Sequence, residues 1–137
     1  MTFEADLRSL LIADYDIADA VNDAAANERR IYPLERPADQ KNLDAIVYKV
    51  IAGVPSTNLE SGDDAGEVGT LEYVRLQIDC WSSTHDGARR LALLVHARMN
   101  TGSSSIRAVR ISRQSDIDPD TREYREILDY SVGHSPQ

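Results

Sequence analysis

The chain has 137 residues, of which 42% are hydrophobic and 28% charged, a composition typical of one soluble globular domain. No apolar run approaches the roughly 20 residues that span a bilayer, and the start of the chain lacks the basic and apolar stretches of a secretion signal, so we expect the protein to be made and to act in the cytoplasm. The formal net charge of −8 argues against general affinity for nucleic-acid phosphates, and Cys80, the only cysteine, excludes an internal disulfide.

The first third of the sequence predicts two helices and a short extended segment. From Thr2 to about Ala13, apolar residues recur at helical spacing behind a capping threonine. A second, shorter helical stretch runs from Asp16 to about Ala26. The extended segment begins at Arg29 and is stopped by Pro33 and Pro37, because proline lacks the backbone donor that a strand needs. The helices are expected to cover one face of a sheet.

The middle of the sequence predicts two strands joined by an acidic loop. Ala45–Ala52 is rich in β-branched and aromatic residues and predicts a strand buried on much of both faces. Tyr73–Trp81 alternates apolar and polar side chains, which predicts a strand with one packed face. The Ser56–Thr70 segment between them has almost no apolar residues. A loop of about 15 residues in a compact domain is usually either a functional arm or a disordered excursion, and both interpretations stay open.

The last third predicts a helix followed by a β-hairpin. A capping pattern at Ser83 begins a helix that reaches about Asn100, and Gly102 closes it. The strands Ile106–Arg113 and Arg122–Val132 follow, joined by a turn rich in aspartate.

The order of these elements predicts an α+β fold, with an antiparallel sheet of about four strands and helices packed on one face. We expect a single domain over residues 1–133 that carries the long loop at 56–70. Residues 134–137 should form a frayed C-terminal tail.

Candidate catalytic and metal-binding residues do not form a convincing site. Cys80 faces inward by the alternation of its strand, whereas His85 begins a helix, so a Cys80–His85–Asp86 arrangement is not expected to align. His85 and His96 lie about 16 Å apart along one helix, too far to bind one metal ion. The glycines of the loop match no phosphate-binding pattern. The sequence therefore predicts no catalytic, cofactor or metal site.

Several segments together resemble a known family. They are Leu7–Leu11, Arg30–Pro33, Ala45–Tyr48, Val74–Trp81 leading into Ala88–Ala92, and Asp118–Thr121 ahead of a strand that ends at Leu128–Tyr130. In their order and spacing the chain resembles the tail completion family of long-tailed bacteriophages, which is similar to phage tail terminator proteins. The resemblance covers most of the chain.

The resemblance implies a structural protein rather than an enzyme, one that works without a cofactor. Such a protein caps the head-proximal end of the tail tube as a ring, commonly a hexamer, and joins the tail to the head connector or stopper protein. Its partners would be copies of itself, the tube protein and the connector, with DNA only passing through the lumen and no membrane involved. It would assemble in the host cytoplasm and reside at the head–tail junction of a phage, a prophage-derived particle or a gene transfer particle. The alternative is a small-ligand-binding or regulatory α+β module that forms a dimer.

Contacts with neighbouring subunits or with the tube are expected on the loop and on the polar row of the half-polar strand, because recognition residues often lie on loops that a rigid scaffold positions. The predicted interface residues are Glu60, Asp63, Asp64, Glu67, Arg75, Gln77, Asp79 and Trp81. For Trp81 two interpretations stay open, a hydrophobic lid under the helix or an interface anchor.

Overall fold

The computed structural model of the chain describes residues 2–23, 28–35, 44–55 and 72–135. The predicted loop at 56–70 lies outside these residues. The helices and strands are, in chain order, α1 (Phe3–Ile12), α2 (Tyr15–Ala20), β1 (Asn22–Asp23), β2 (Glu28–Arg29), β3 (Ile31–Pro33), β4 (Ala45–Pro55), β5 (Glu72–Ser82), α3 (His85–Thr101), β6 (Ile106–Ile117) and β7 (Tyr124–His134).

The main sheet has five strands in the order β3-β4-β5-β7-β6. Every neighbouring pair is antiparallel except β3 and β4, which are parallel. The α+β prediction is confirmed, and the sheet gains a fifth strand because the extended segment at Ile31–Pro33 pairs with Ile46–Tyr48. This strand is short because Pro33 has no N–H to continue the ladder.

The caps of α1 and α3 explain where these helices begin and end. Thr2 Oγ1 accepts a hydrogen bond from the backbone N–H of Ala5, as predicted for a capping threonine. Helix α3 is capped by Thr84 rather than Ser83, since Thr84 Oγ1 accepts from the N–H of Gly87. The helix ends at Gly102, whose φ of +67° and close approach to the Ile106 carbonyl both require glycine.

Helix α2 ends earlier than the sequence predicts. It stops at Ala20, and Asn22–Asp23 form β1, which pairs antiparallel with β2. The prediction of helix as far as about Ala26 is wrong for Asn22 and Asp23, because both residues are weak helix formers and bond readily in extended backbone. Residues 24–27 lie outside the described part of the chain.

One face of the main sheet packs against the three helices of the described residues and forms the core. The apolar alternation predicted for the half-polar strand is present, with Val74, Leu76, Ile78 and Cys80 buried. Their cross-strand neighbours on β7, which include Leu128 and Tyr130, are buried too. The helices contribute Leu7, Leu10, Leu11, Ile17, Leu91, Ala92, Val95 and Met99 to the same cluster. This layered arrangement leaves the opposite face of the sheet without a helix in the described part of the chain.

The final hairpin is longer than predicted. Strand β6 continues to Ile117, and its alternation is interrupted by a bulge between Arg110 and Ser112. Strand β7 continues to His134, whose ring is buried and whose Nε2 lies 2.7 Å from Asp6 Oδ2. The prediction that the frayed tail begins at residue 134 is therefore wrong for His134, because its contact with α1 holds it in the sheet.

Candidate functional site on the outer sheet face

The face of the sheet opposite the helices, called here the outer face, has two regions that differ in their contacts. The paired region lies toward the β6–β7 turn and consists of Gln77, Asp79, Trp81, Asp116 and Arg125. The open region lies toward the other end of the same strands and consists of Tyr73, Arg75, Arg107, Val109, Ser131 and Gly133. The register places the members of each region beside one another on β5, β7 and β6.

Asp79 is the centre of the paired region. Although it lies on the outer face, it is only 2% exposed. Gln77 Nε2 donates a hydrogen bond to Asp79 Oδ1 at 2.9 Å, and Arg125 Nη1 lies 3.4 Å from Asp79 Oδ2. The other guanidinium nitrogen, Arg125 Nη2, donates to Asp116. Arg125 therefore bridges carboxylates from the two strands that flank β7.

Burial dominates the electrostatics of Asp79. The loss of water around the carboxylate raises its pKa above the ordinary value, and the hydrogen bond from Gln77 and the charge of Arg125 offset only part of this increase. Burial of the ionised Asp79 carboxylate therefore costs free energy of folding that its two partners offset only in part.

Trp81 completes the paired region. The guanidinium carbon of Arg125 lies 5.0 Å from the centre of the Trp81 ring, within the range of a cation–π contact. Trp81 shares the outer face with Asp79, whereas α3 packs on the opposite face. The interpretation of Trp81 as a lid under the helix is therefore wrong, and the interface interpretation stays a prediction.

The open region exposes both apolar and basic side chains. Tyr73 is 49% exposed and Val109 is 70% exposed. Arg75 and Arg107 are also exposed, and neither forms an ion pair with another described residue. A groove of about 270 Å³ runs between Tyr73 and Val109. The open region is thus an apolar groove with positive charge beside it.

The structure separates the predicted interface residues into different environments. Arg75 lies in the open region, whereas Gln77, Asp79 and Trp81 lie in the paired region. The predicted acidic residues lie outside the described part of the chain: Glu60, Asp63, Asp64 and Glu67. Sequence reasoning missed Tyr73, Arg107 and Val109 as neighbours of Arg75. The alternation in Ile106–Arg113 places Arg107 and Val109 on the same face of the strand. Only the strand order shows that this face is the outer one.

Ionisable groups elsewhere in the described residues have structural roles. Cys80 is fully buried, and burial raises the pKa of its thiol well above the ordinary value. The ring of His85 packs edge-on against Tyr124 with 5.8 Å between ring centres, so it does not face the thiol as a base would. No group of three or more His, Cys, Asp or Glu residues in the described ranges could hold a metal ion.

Two further polar contacts support the helix-facing side of the sheet. His96 Nδ1 lies 2.9 Å from the hydroxyl of Tyr130, and burial with the nearby charge of Arg110 lowers the pKa of His96. Glu126 is buried, with Ser115 donating to one carboxylate oxygen and Arg113 lying 3.6 Å from the other.

None of the helices within the described ranges has the length and apolar character to cross a membrane.

Comparison with known proteins gives a family match and a structural match. The model of the family described as "Tail completion protein gp17" matches residues 5–135. A solved structure described as "Virion of native gene transfer agent (GTA) particle" contains a chain of similar fold, with a TM-score of 0.65 and 12% sequence identity over 98% of this chain and 95% of that chain. No curated protein sequence matches. The structural match shows that the fold is shared, and the family match reaches almost the whole sequence.

Proposed function

The chain belongs to the Tail completion protein gp17 family, whose members are structural and non-enzymatic, and from that premise we propose that it forms a ring that caps the head-proximal end of a tail tube and joins the tail to the head connector. The observation that carries this proposal is the family match over residues 5–135. The similar fold of a chain in a gene transfer agent virion supports a place in a virion-like particle. Tail assembly would take place in the host cytoplasm.

The architecture suits a ring because the two broad surfaces of the subunit differ. One surface is the helix layer and the other is the outer face of the sheet. Contacts between two different surfaces are heterologous, and they generate a closed ring when the rotation between neighbours completes a circle. A hexamer is the proposed ring. The net charge of −8 would disfavour adhesion of the DNA that passes through the lumen.

The proposed contacts with neighbouring subunits, the tube protein or the connector involve two sets of residues. The first set is the exposed part of the outer face, with Arg75 as its charged residue. The second is the acidic set Glu60, Asp63, Asp64 and Glu67, proposed from its charge alone. Gln77, Asp79 and Trp81 would contribute indirectly, by holding together the part of the outer face that a partner contacts. Reversing the charge of Asp79 together with Arg75 is not a suitable test, because Asp79 is buried and its reversal would disturb the fold.

The direct test is loss of the gene in a particle-producing host, followed by complementation. Without the protein, we expect heads and tail tubes that do not join, with tubes of uncontrolled length, in negative-stain micrographs. Wild-type protein should restore joined particles, and Arg75→Glu should not, although its free energy of unfolding is unchanged. Arg89→Glu is the matched control, since it reverses an exposed arginine near the N-terminus of α3, where a negative charge is tolerated. Joined particles of normal tail length in the absence of the protein would contradict the proposed function.

A further inference from the structure

We infer that the open region binds helix α2 of a second copy of this chain, with Tyr15 of one copy seated in the groove between Tyr73 and Val109 of the next. This inference rests on the proposed ring and names the contact that repeats around it. The occupant is the helix layer of an identical subunit, so each subunit contributes the groove to one neighbour and Tyr15 to the other.

The groove has the dimensions of a site for a side chain. On strand β7, which lies between β5 and β6, Gly133 lies between Tyr73 and Arg107, and the small Ser131 lies between Arg75 and Val109. No bulky side chain therefore fills the middle of the groove. Its volume of about 270 Å³ is large enough to hold a single aromatic ring.

Tyr15 is an exposed aromatic residue with acidic neighbours. It is the first residue of α2 and is 78% exposed, which is unusual for an aromatic side chain of a folded domain. Asp14 precedes it and caps the helix, while Asp16 and Asp19 are exposed within the next turn. Tyrosine is among the residues that contribute most binding energy at interfaces, because it combines apolar area with a polar end.

The charges around Tyr15 and around the groove are complementary. A surface depression beside Tyr15 is lined by three acidic residues, Asp16, Asp19 and Asp44, and by one basic residue, Arg90. The surface around Tyr15 therefore carries a net negative charge. The open region carries Arg75 and Arg107. Complementary charges at the rim of an interface steer association and set the orientation of the partners.

The two surfaces cannot meet within one chain. Helix α2 packs in the helix layer, and the groove lies on the opposite face of the sheet. The contact therefore joins two copies through different surfaces, which is the heterologous geometry that a ring requires. A symmetric dimer would instead use one surface twice.

Photocrosslinking tests the contact even if the free subunits associate only weakly. Tyr15 is replaced by benzoylphenylalanine, which keeps an aromatic side chain at this position, and the variant is irradiated with isotope-labelled wild-type chain. We expect crosslinks between labelled and unlabelled copies that map to the peptides around Tyr73 and Val109. The matched control carries the crosslinker at Leu93, which is 55% exposed on α3 of the same layer, and its crosslinks should not concentrate on these peptides.

A charge exchange makes the test specific. Arg107→Glu in the labelled chain should lower the Tyr15 crosslink yield about threefold to tenfold, as expected for reversing one charge of an exposed pair. Adding Asp16→Lys to the crosslinking chain should then recover most of the yield. Tyr15 crosslinks spread over the surface like those from Leu93, or a yield unaffected by Arg107→Glu, would overturn the inference. Neither result would bear on the proposed ring, which the complementation experiment tests separately.

Discussion

The two regions of the outer face lie on the same strands but use their polar residues differently. In the paired region, Arg125 contacts Asp79, Asp116 and the Trp81 ring, so every charged residue of this region has a partner within the subunit. In the open region, Arg75 and Arg107 find no ion-pair partner within the described residues, and Val109 is largely exposed. At one end of the outer face, the polar side chains contact one another. At the other end, apolar surface and positive charge are exposed to solvent.

This difference separates residues that maintain the fold from residues available to a partner. Buried charged groups destabilise a protein when one partner of the pair is lost, whereas exposed charges contribute little to stability. Substitutions in the paired region should therefore act on unfolding, and those in the open region on assembly. Position on the outer face alone does not identify an interface residue.

The largest effect on stability is expected for Arg125→Met, with Arg107→Met as its matched control. Loss of Arg125 leaves the buried carboxylate of Asp79 without its cation. Removing one partner of a fully buried pair costs about 3–5 kcal/mol, and since Arg125 keeps 24% exposure we expect about 2–3 kcal/mol. Arg107→Met should change the free energy of unfolding by less than about 0.5 kcal/mol. Urea unfolding at pH 7 measures both, and equal values for the two variants would remove the distinction between the regions.

A smaller effect is expected for apolar truncation at Ile127, beside the paired region, and at Val109 in the open region. Ile127 lies between Asp79 and Gln114 in the ladder and is partly buried, whereas Val109 is 70% exposed. Ile127→Ala should cost about 1–2 kcal/mol, below the range for fully buried isoleucine, and Val109→Ala less than about 0.5 kcal/mol. The same unfolding measurement applies. A larger cost for Val109→Ala would show that the groove is part of the folded core rather than an accessible surface.

The separation of Arg75 from Asp79 shows how far the sequence predicts this surface. Alternation within β5 correctly assigned its packed face, because it follows from the period of a strand and needs no knowledge of its neighbours. The pairing of Asp79 with Arg125 joins residues 46 positions apart. It depends on β7 lying beside β5, and this strand order is set by packing of the whole sheet. Sequence reasoning therefore placed Asp79 in the interface beside Arg75.

Local chemistry explains the other differences. The bulge at Arg110/Ser112 shifts the alternation of β6, and no residue there marks it in advance. Helix α2 ends at Ala20 because tertiary pairing of Asn22–Asp23 with β2 replaces the helical backbone bonds. Thr2 and Gly102 were predictable as caps, since each acts on backbone groups within a few residues of itself.

Among substitutions in the paired region, the smallest effect is expected for Asp79→Asn. Because burial raises the pKa of Asp79 more than Gln77 and Arg125 lower it, the neutral side chain fits the folded state better than the ionised one. We expect Asp79→Asn to lie within about 1 kcal/mol of the wild type at pH 7, well below the cost of Arg125→Met.

The pH dependence of this variant distinguishes burial from ion pairing. A folded-state pKa above the unfolded value means that the folded wild type binds a proton more tightly than the unfolded chain. The stability of the wild type relative to Asp79→Asn should therefore rise as the pH falls from 7 through the raised pKa toward the ordinary value of 3.8, and level off below it. Because both proteins share every other titrating group, the difference between their urea unfolding curves isolates Asp79. A relative stability that falls over the same interval would mean that the attraction of Arg125 outweighs desolvation, and that the paired region stabilises the subunit through its charges rather than despite them.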